Sequence, residues 1–342
     1  MTNRELAKTL EVSPAAFSLI INQKPGVSDA LRNRVVSELK RMGYGHLLKE
    51  VQPEKRDDNI GFVVYRKHGE ILDLQPFFLL LMENIERRAR QQDFNILFFT
   101  VDGCQPVLQQ IQMLNERNVS GLLIFATEMG EEDMTYLREL DRPYVIMDND
   151  FSCLPVNTVS IDNQMGTFQA VEYLVKMGHR EIGYLQSSNE ISSFQERAWG
   201  YRSALQKFQL ELKPEYTFRV RYTEDGSYQD FSAILKEKPQ LPTAFVTDDD
   251  TIAVGVLKAL KEHGYRVPED VSLIGYDDRP ICCVCEPHLT TVDVSKYSFA
   301  AEAVDMLVGI IRNGENVRME LRPKKMRIAT RLLARQSVER IR

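Results

Sequence analysis

The sequence lacks any apolar run near the roughly 18 residues that a membrane-spanning helix needs, which excludes a helical membrane protein. Its first residues, MTNRELAKTL, have neither an apolar core nor a small-residue cleavage site, so no secretory signal is expected. Cysteine is scarce and odd in number. Cys104, Cys153, Cys282, Cys283 and Cys285 are too few to staple a chain of 342 residues, and they point to a reducing, cytoplasmic setting. Cys282, Cys283 and Cys285 lie close together, but no second cysteine pair or histidine group completes a zinc site; buried or loop thiols are the simpler account. There is no Gly-rich phosphate loop, no G-x-S-x-G elbow and no H-E-x-x-H, and the five histidines form no cluster. His179, in GHREIG, reads as a turn residue at a helix end rather than a general base. No cofactor, no metal, no catalytic residue and no membrane partner are expected.

The composition is that of a globular protein, with 43% apolar and 27% charged residues and a formal charge of −6. At roughly 150 residues per domain, the length suggests two to three domains. The net charge hides an asymmetry. Residues 1–56 hold ten basic and six acidic side chains (net +4), while the rest carries net −10. A basic head, suited to phosphates, precedes an acidic body.

Three short helical patterns occupy residues 2–43. Thr2 with Glu5 is a capping-box signature, and Ser13 followed by Pro14 pairs an N-cap with proline at the first helical position. Lys24-Pro25-Gly26 reads as a turn, and Ser28 caps the third pattern, which ends at Gly43. The short break around Glu11-Val12 suits a helix-turn-helix whose second helix enters the major groove of double-stranded DNA. A three-helix protein-docking module has the same spacing. From Asn59 the texture changes to βα alternation. Strands are expected at Ile60–Tyr65, Asn95–Phe99, Gly121–Phe125, Tyr144–Met147, Thr158–Ile161, Ile182–Leu185, Phe218–Tyr222, Ala244–Thr247 and Val271–Ile274. Helix-length patterns such as Phe77–Gln92 and Gln195–Phe208 lie between them, which implies parallel sheets covered on both faces. Nine or ten strands are wide for one sheet, and a ligand crevice between two domains is the usual solution.

The run VSPAAFSLIINQKPGVS (12–28) with MGY (42–44) resembles the headpiece of the LacI/GalR (lactose/galactose-repressor) family of transcription regulators. The resemblance continues through residues 75–99, VSIDNQMGTFQAVEYLVKMGHREIGYL (159–185), ERAWGYRSAL (196–205), TAFVTDDDTIAVGVLKAL (243–260), GYRVPEDVSLIGYDD (264–278) and PHLTTV (287–292), in order. It implies a three-helix helix-turn-helix headpiece (1–44), a hinge or linker (45–58) and a periplasmic-binding-protein-like α/β core of two Rossmann-like parallel-sheet lobes. The lobes are expected at 59–161 plus 291–321 and at 162–290 plus 322–342, with crossings near Asp162, Leu289–Thr291 and Leu321–Pro323. The implied function is a DNA-binding regulator, a repressor, whose operator affinity is set allosterically by a small molecule held between the lobes. A homodimer or tetramer on a palindromic operator is implied, with helix Phe77–Gln92 in the dimer contact. A sugar or sugar derivative leads as effector. A nucleobase or another carboxylated metabolite is the alternative. A stand-alone solute-binding protein would need an export signal, and an enzyme would need an acid–base or nucleophile set that cannot be assembled here.

Candidate DNA contacts are Thr2, Ser13, Pro14, Ala15, Ser18, Leu19 and Asn22. Many relatives carry an arginine where this chain has Leu19, so a bidentate guanine contact is lost there and readout shifts to apolar contact with thymine methyls. The linker departs too. Relatives place an Ala-Arg pair and a leucine wedge in a hinge helix; here Leu47, Leu48 and Val51 are the only substitutes, and a flexible tether fits the segment equally. In the body, Arg197 and Asp277 are the leading ligand contacts by resemblance, with a structural ion pair as the alternative. Phe194 and Tyr222 are candidate stacking rings, or core. Asp162, Asn163 and Asp249 follow. Asp248-Asp249-Asp250 invites a metal reading, but Asp249 or Asp250 capping a helix is the simpler one.

Overall fold

The computed structural model describes residues 2–22, 26–48, 58–67, 69, 76–318 and 322–341. They fall into two units, Met1–Asp57 and Asp58–Arg342.

The first unit holds three helices, each begun by a hydroxyl cap. At α1 (Asn3–Thr9) the Thr2 hydroxyl accepts from the Glu5 N–H at 3.4 Å and the Glu5 carboxylate accepts from the Thr2 N–H at 2.7 Å. At α2 (Pro14–Ile21) Ser13 Oγ accepts from the Ala16 N–H at 3.1 Å, and at α3 (Asp29–Arg41) Ser28 Oγ accepts from Leu31 at 3.4 Å. Glu11, at φ 53°, turns the chain between α1 and α2. Leu6, Ala7, Leu10, Phe17, Ile20, Val35 and Leu39 form the core. Leu47, in the 3-10 turn Gly45–Leu47, and Leu48 pack against it. These two leucines, candidates for a hinge wedge, are half-buried on the head, where covering apolar surface is favourable. Val51, the third hinge candidate, lies outside the described residues, as does most of the linker and the Lys24-Pro25 turn.

The second unit contains two six-stranded sheets. The first is built from β1 (Asp58–Arg66), α4 (Pro76–Gln91), β2 (Phe94–Asp102), α5 (Val107–Asn115), β3 (Gly121–Phe125), α6 (Met134–Leu137), β4 (Tyr144–Met147) and β5 (Thr158–Ile161). The chain then passes to α7 (Asn163–Lys176), β6 (Ile182–Ser187), α8 (Ser192–Lys207), β7 (Thr217–Val220), α9 (Glu224–Lys236), β8 (Ala244–Thr247), α10 (Asp250–Glu262), β9 (Ser272–Tyr276) and β10 (Thr290–Val294). It closes with α11 (Lys296–Arg318), β11 (Lys325–Ile328) and β12 (Thr330–Leu333). The strand orders are β11-β5-β4-β3-β1-β2 and β12-β10-β9-β8-β6-β7. Every pairing is parallel except β10 with β12.

The sheets move two of the three expected lobe boundaries. Strand β10 pairs with β9 (Thr290 opposite Ile274) and stays in the second lobe, so the chain returns to the first lobe at Ser295 rather than near Thr291. Strand β11 pairs with β5 (Lys325 opposite Thr158), so residues after Pro323 do not all belong to the second lobe; the last crossing is at Ala329. The cause is local. Thr290 and Thr291 look like loop residues, yet both are fully buried, and the Thr291 hydroxyl donates to Asp250 at 2.6 Å. In β11 the sequence Lys-Met-Arg-Ile alternates exposed and half-buried side chains, the pattern of an edge strand. Helix α11 returns to cover the first sheet beside α4, where the Arg88 fork binds Asp305 at 2.8 and 2.6 Å. His179 is buried between Thr243 Oγ1 (2.9 Å) and the Glu339 carbonyl (3.0 Å), a structural position.

Candidate functional site

Parallel sheets bind ligands at the carboxyl ends of their strands. In the second unit those ends face each other across a cleft lined by Phe77, Phe78, Phe125, Thr127, Asp148 and Ile161 from the first lobe. The second lobe supplies Ile191, Ser193, Phe194, Arg197, Tyr222, Asp249 and Asp277, and Val294 completes the wall at the crossing. The inner cavity is small, about 40 Å³. Beside it, sharing Thr127 and Ile191, lies a cavity of about 460 Å³ at the cleft mouth that includes Trp199, Glu131 and Glu190. A separate cavity of about 380 Å³ lies between α11 and the amino ends of β4 and β11; it carries none of these acids.

Arg197 organises the inner wall. It is 5% exposed, projects from α8, and donates from Nε to Asn163 Oδ1 at 3.0 Å and from a terminal nitrogen to Asp277 Oδ1 at 3.1 Å. Its other terminal nitrogen reaches the Asp248 carbonyl, and the guanidinium lies 3.8 Å from the centroid of the Tyr276 ring. That ring is in turn packed on Gly166 of α7, where a Cβ would fall 2.2 Å from the tyrosine oxygen. Asp277 and Asp278 both have positive φ (98° and 47°), an arrangement that non-glycine residues keep only where the surroundings hold it. Here the Asp277 N–H donates to the Val292 carbonyl at 2.9 Å, and its carboxylate is turned toward Arg197. Burial opposes the Asp277 charge, but the Arg197 guanidinium and its neighbours hold the carboxyl below its usual range.

A second guanidinium, Arg279, stands behind the first. Its backbone N–H donates to Asp250 at 2.8 Å, and its side chain donates to the Tyr222 hydroxyl at 2.8 Å, bonds Thr251 and pairs with Asp249 at 3.2 Å. The Phe194 and Tyr222 rings, 5.7 Å apart and tilted by 40°, lie side by side on the cavity wall. Each ring is 4% exposed, and each lines the cavity.

Among the described residues no group of three or more His, Cys, Asp or Glu is disposed to hold a metal, the Asp248-Asp249-Asp250 run included. Each acid has its own internal partners. Asp248 accepts from the Ser187 N–H at 2.7 Å and from Tyr184, Asp249 caps α10 by accepting from the Thr251 N–H at 2.6 Å, and Asp250 holds Thr291 and Arg279. Burial pushes the Asp248 and Asp250 carboxyls up to about 7 and raises that of Asp249 as well. Asp162 caps α7 by accepting from the Met165 N–H at 3.0 Å and does not line the cavity; Asn163 is buried and accepts from Arg197. Residues missed by sequence reasoning are Phe77, Phe125, Thr127, Asp148, Ser193 and Arg279. Thr127 Oγ1 donates to Asp148 Oδ2 at 2.5 Å, and burial pushes the Asp148 carboxyl up to about 7. Arg279 alone carried a signal, since it follows Asp277 by two residues.

In the head, Pro14, Ala15 and Ser18 are exposed on α2. Leu19 and Asn22 are half-buried; Leu19 lies beside Gly26, and the Asn22 amide donates back to the Ser18 carbonyl at 2.8 Å.

A periplasmic binding protein-like domain profile matches residues 171–338. The chain is similar to the ribose operon repressor of Haemophilus influenzae, 28% identical over 320 residues that cover 93% of this chain and 94% of that one. It is 29% identical over 312 residues to the HTH-type transcriptional repressor CytR of Escherichia coli, covering 90% and 89%. Among solved structures, a transcriptional regulator CelR–cellobiose complex matches with a TM-score of 0.73 and 25% identity over 98% of this chain and 99% of that one.

Proposed function

We propose that the chain is a LacI/GalR-type transcriptional regulator, an effector-controlled repressor of DNA transcription, in which the cleft around Arg197 and Asp277 holds a sugar or sugar derivative. The observation that carries the effector class is the cavity wall itself. Asp148, Asp249 and Asp277 supply acceptors, Thr127 and Ser193 supply hydroxyls, and Arg197 supplies donors beside the apolar faces of Phe77, Phe194 and Tyr222. A polyol presents hydroxyls at its edge and C–H groups on its faces, and this wall answers both. A carboxylate or phosphate would meet three acids, with both guanidinia already held by them.

The heads act in pairs, as a homodimer on a palindromic operator, with α2 of each in a major groove. Effector binding changes how the lobes close and thereby the head spacing; a typical coupling of about 1–3 kcal/mol changes operator affinity about 5–150-fold. The test begins with the full chain in a randomised-site selection, followed by gel shifts on the selected duplex with D-ribose, cellobiose and other neutral sugars. A palindromic site, and a sugar that shifts its apparent Kd by fivefold or more, are the expected results. No enrichment of any sequence would remove the DNA reading, and no response to any neutral sugar would remove the effector class.

A further inference from the structure

Arg197 is held from one side by a chain of contacts that leaves the second lobe altogether. Its Nε donates to Asn163 Oδ1 at 3.0 Å, and the Asn163 amide nitrogen donates to Glu196 Oε2 at 2.9 Å. That amide nitrogen also donates to the Ile161 carbonyl at 3.3 Å; a carbonyl only accepts, so the amide orientation is fixed, with its oxygen toward Arg197. The other Glu196 oxygen pairs at 3.0 Å with Arg327, on strand β11 of the first lobe. Arg327 also binds Asp150, in the loop after β4 of the first lobe. Asp150 is anchored in its turn, since Lys325 Nζ bonds its carbonyl at 2.6 Å and its carboxylate at 3.2 Å.

These are not ordinary surface pairs. The Asp150 and Glu196 side chains are only 11% and 14% exposed, so their charges feel less screening than a solvated ion pair. Burial raises the Glu196 carboxyl, which marks a charge that depends on its partners. Arg327 sits two residues before the crossing at Ala329, where any change in the angle between lobes is felt.

We propose that Glu196 and Arg327 are positioning residues for the effector site: Glu196 sets the Asn163 amide and through it Arg197, and Arg327, held by Asp150 within the first lobe, makes that setting conditional on the first lobe being closed against Glu196 of the second. The inference rests on the reading of Arg197 as an effector contact. It gives the cleft a reason to bind its ligand in one lobe arrangement more tightly than in another, which is the condition for any allosteric response.

The test uses the full chain and the variants Glu196→Met, Glu196→Gln and Arg327→Met, with melting curves to confirm that each is folded. The first readout is the Arg197 Nε–H resonance of the sugar-free protein, assigned as the arginine signal missing from Arg197→Lys. It is expected to shift or broaden in Glu196→Met, to persist in Glu196→Gln, whose amide oxygen still accepts from Asn163, and to be perturbed in Arg327→Met. An unchanged resonance in Glu196→Met overturns the positioning role; one unchanged in Arg327→Met alone overturns the dependence on the first lobe. The second readout is titration with D-ribose, cellobiose and other neutral sugars, for which Glu196→Met and Arg327→Met should weaken binding about fivefold or more. If no sugar binds the parent protein, the effector reading fails while the resonance still decides the network.

Discussion

The guanidinium of Arg197 is sandwiched by function: the Tyr276 ring lies under it at 3.8 Å while its terminal nitrogen meets the Asp277 carboxylate at 3.1 Å. A flat, forked cation suits both neighbours at once, and an ammonium does not. Arg197→Met leaves the Asp277 charge buried without its partner and is expected to cost about 3–5 kcal/mol in urea unfolding. Arg197→Lys should recover part of the stability but not the sugar response. Full response in Arg197→Lys would show that the fork is dispensable.

The head offers a specificity test. By the family resemblance many relatives would carry an arginine at the position of Leu19, whose side chain rests beside Gly26. Leu19→Arg is expected to move the preferred operator toward guanine at one position per half-site, worth about 1–3 kcal/mol of discrimination. Identical consensus sequences from randomised-site selections of the two proteins would rule this out.

The pH dependence of stability has a definite sign. Burial lifts Asp148, Asp248 and Asp250 to about 7, and it raises Asp249 too. Each binds its proton more tightly folded than unfolded, so that stabilisation is complete below about pH 4 and is lost as pH rises through about 7. Asp270, held at about 2 by its hydrogen bonds with Arg266, and Glu181, lowered by Lys213, act oppositely: their share is present above about pH 4 and lost below it. The melting temperature should therefore peak on the acid side of neutrality and fall toward pH 8, and Asp148→Asn should flatten that fall. A melting temperature that climbs from pH 6 to 8 would contradict the assignment.

Trp199 is the sole tryptophan of the sequence, is 54% exposed, and lines the cleft mouth. A sugar that closes the lobes should shift its emission to shorter wavelength in a saturable way, while Trp199→Phe keeps the affinity measured by calorimetry within a few-fold. Calorimetric binding with unchanged emission would mean that closure does not reach the mouth.

Charge selects among ligands. The mouth carries Glu128, Glu131, Glu132, Glu190, Glu196 and Asp150, against Lys67 alone among its lining cations. A sugar phosphate should bind at least about tenfold more weakly than its neutral parent, a difference of about 1.4 kcal/mol. Equal affinity at low ionic strength would point to a cation that the acids do not mask.

The legible parts of the sequence were those with a strong local signal. Gly121–Phe125 and Ala244–Thr247 are fully buried apolar strands bounded by turns, and the caps at Thr2, Ser13 and Ser28 announce their helices. Strands β10, β11 and β12 escaped because their pattern is set by neighbours rather than by hydrophobicity; Thr291 is buried with its hydroxyl donated to Asp250. The site divides in the same way. Arg197 and Asp277 stood in recognisable motifs, whereas Thr127 and Asp148 are ordinary strand-end residues that acquire meaning when the two sheets face each other. Glu196 sat beside Arg197 in the sequence, but its partner Arg327 is 131 residues away.

The order of the last two strands bears on how the protein is made. Strand β11 is an edge of the first sheet and β12 an edge of the second, and they are consecutive in the chain. During synthesis, which adds about 5–20 residues each second from the amino terminus, both sheets stay open on one side until the same final stretch emerges. Neither lobe has a head start in being finished. The nascent body thus presents two unpaired strand edges together, Thr158–Ile161 and Thr290–Val294, and the closing segment protects both within seconds of each other.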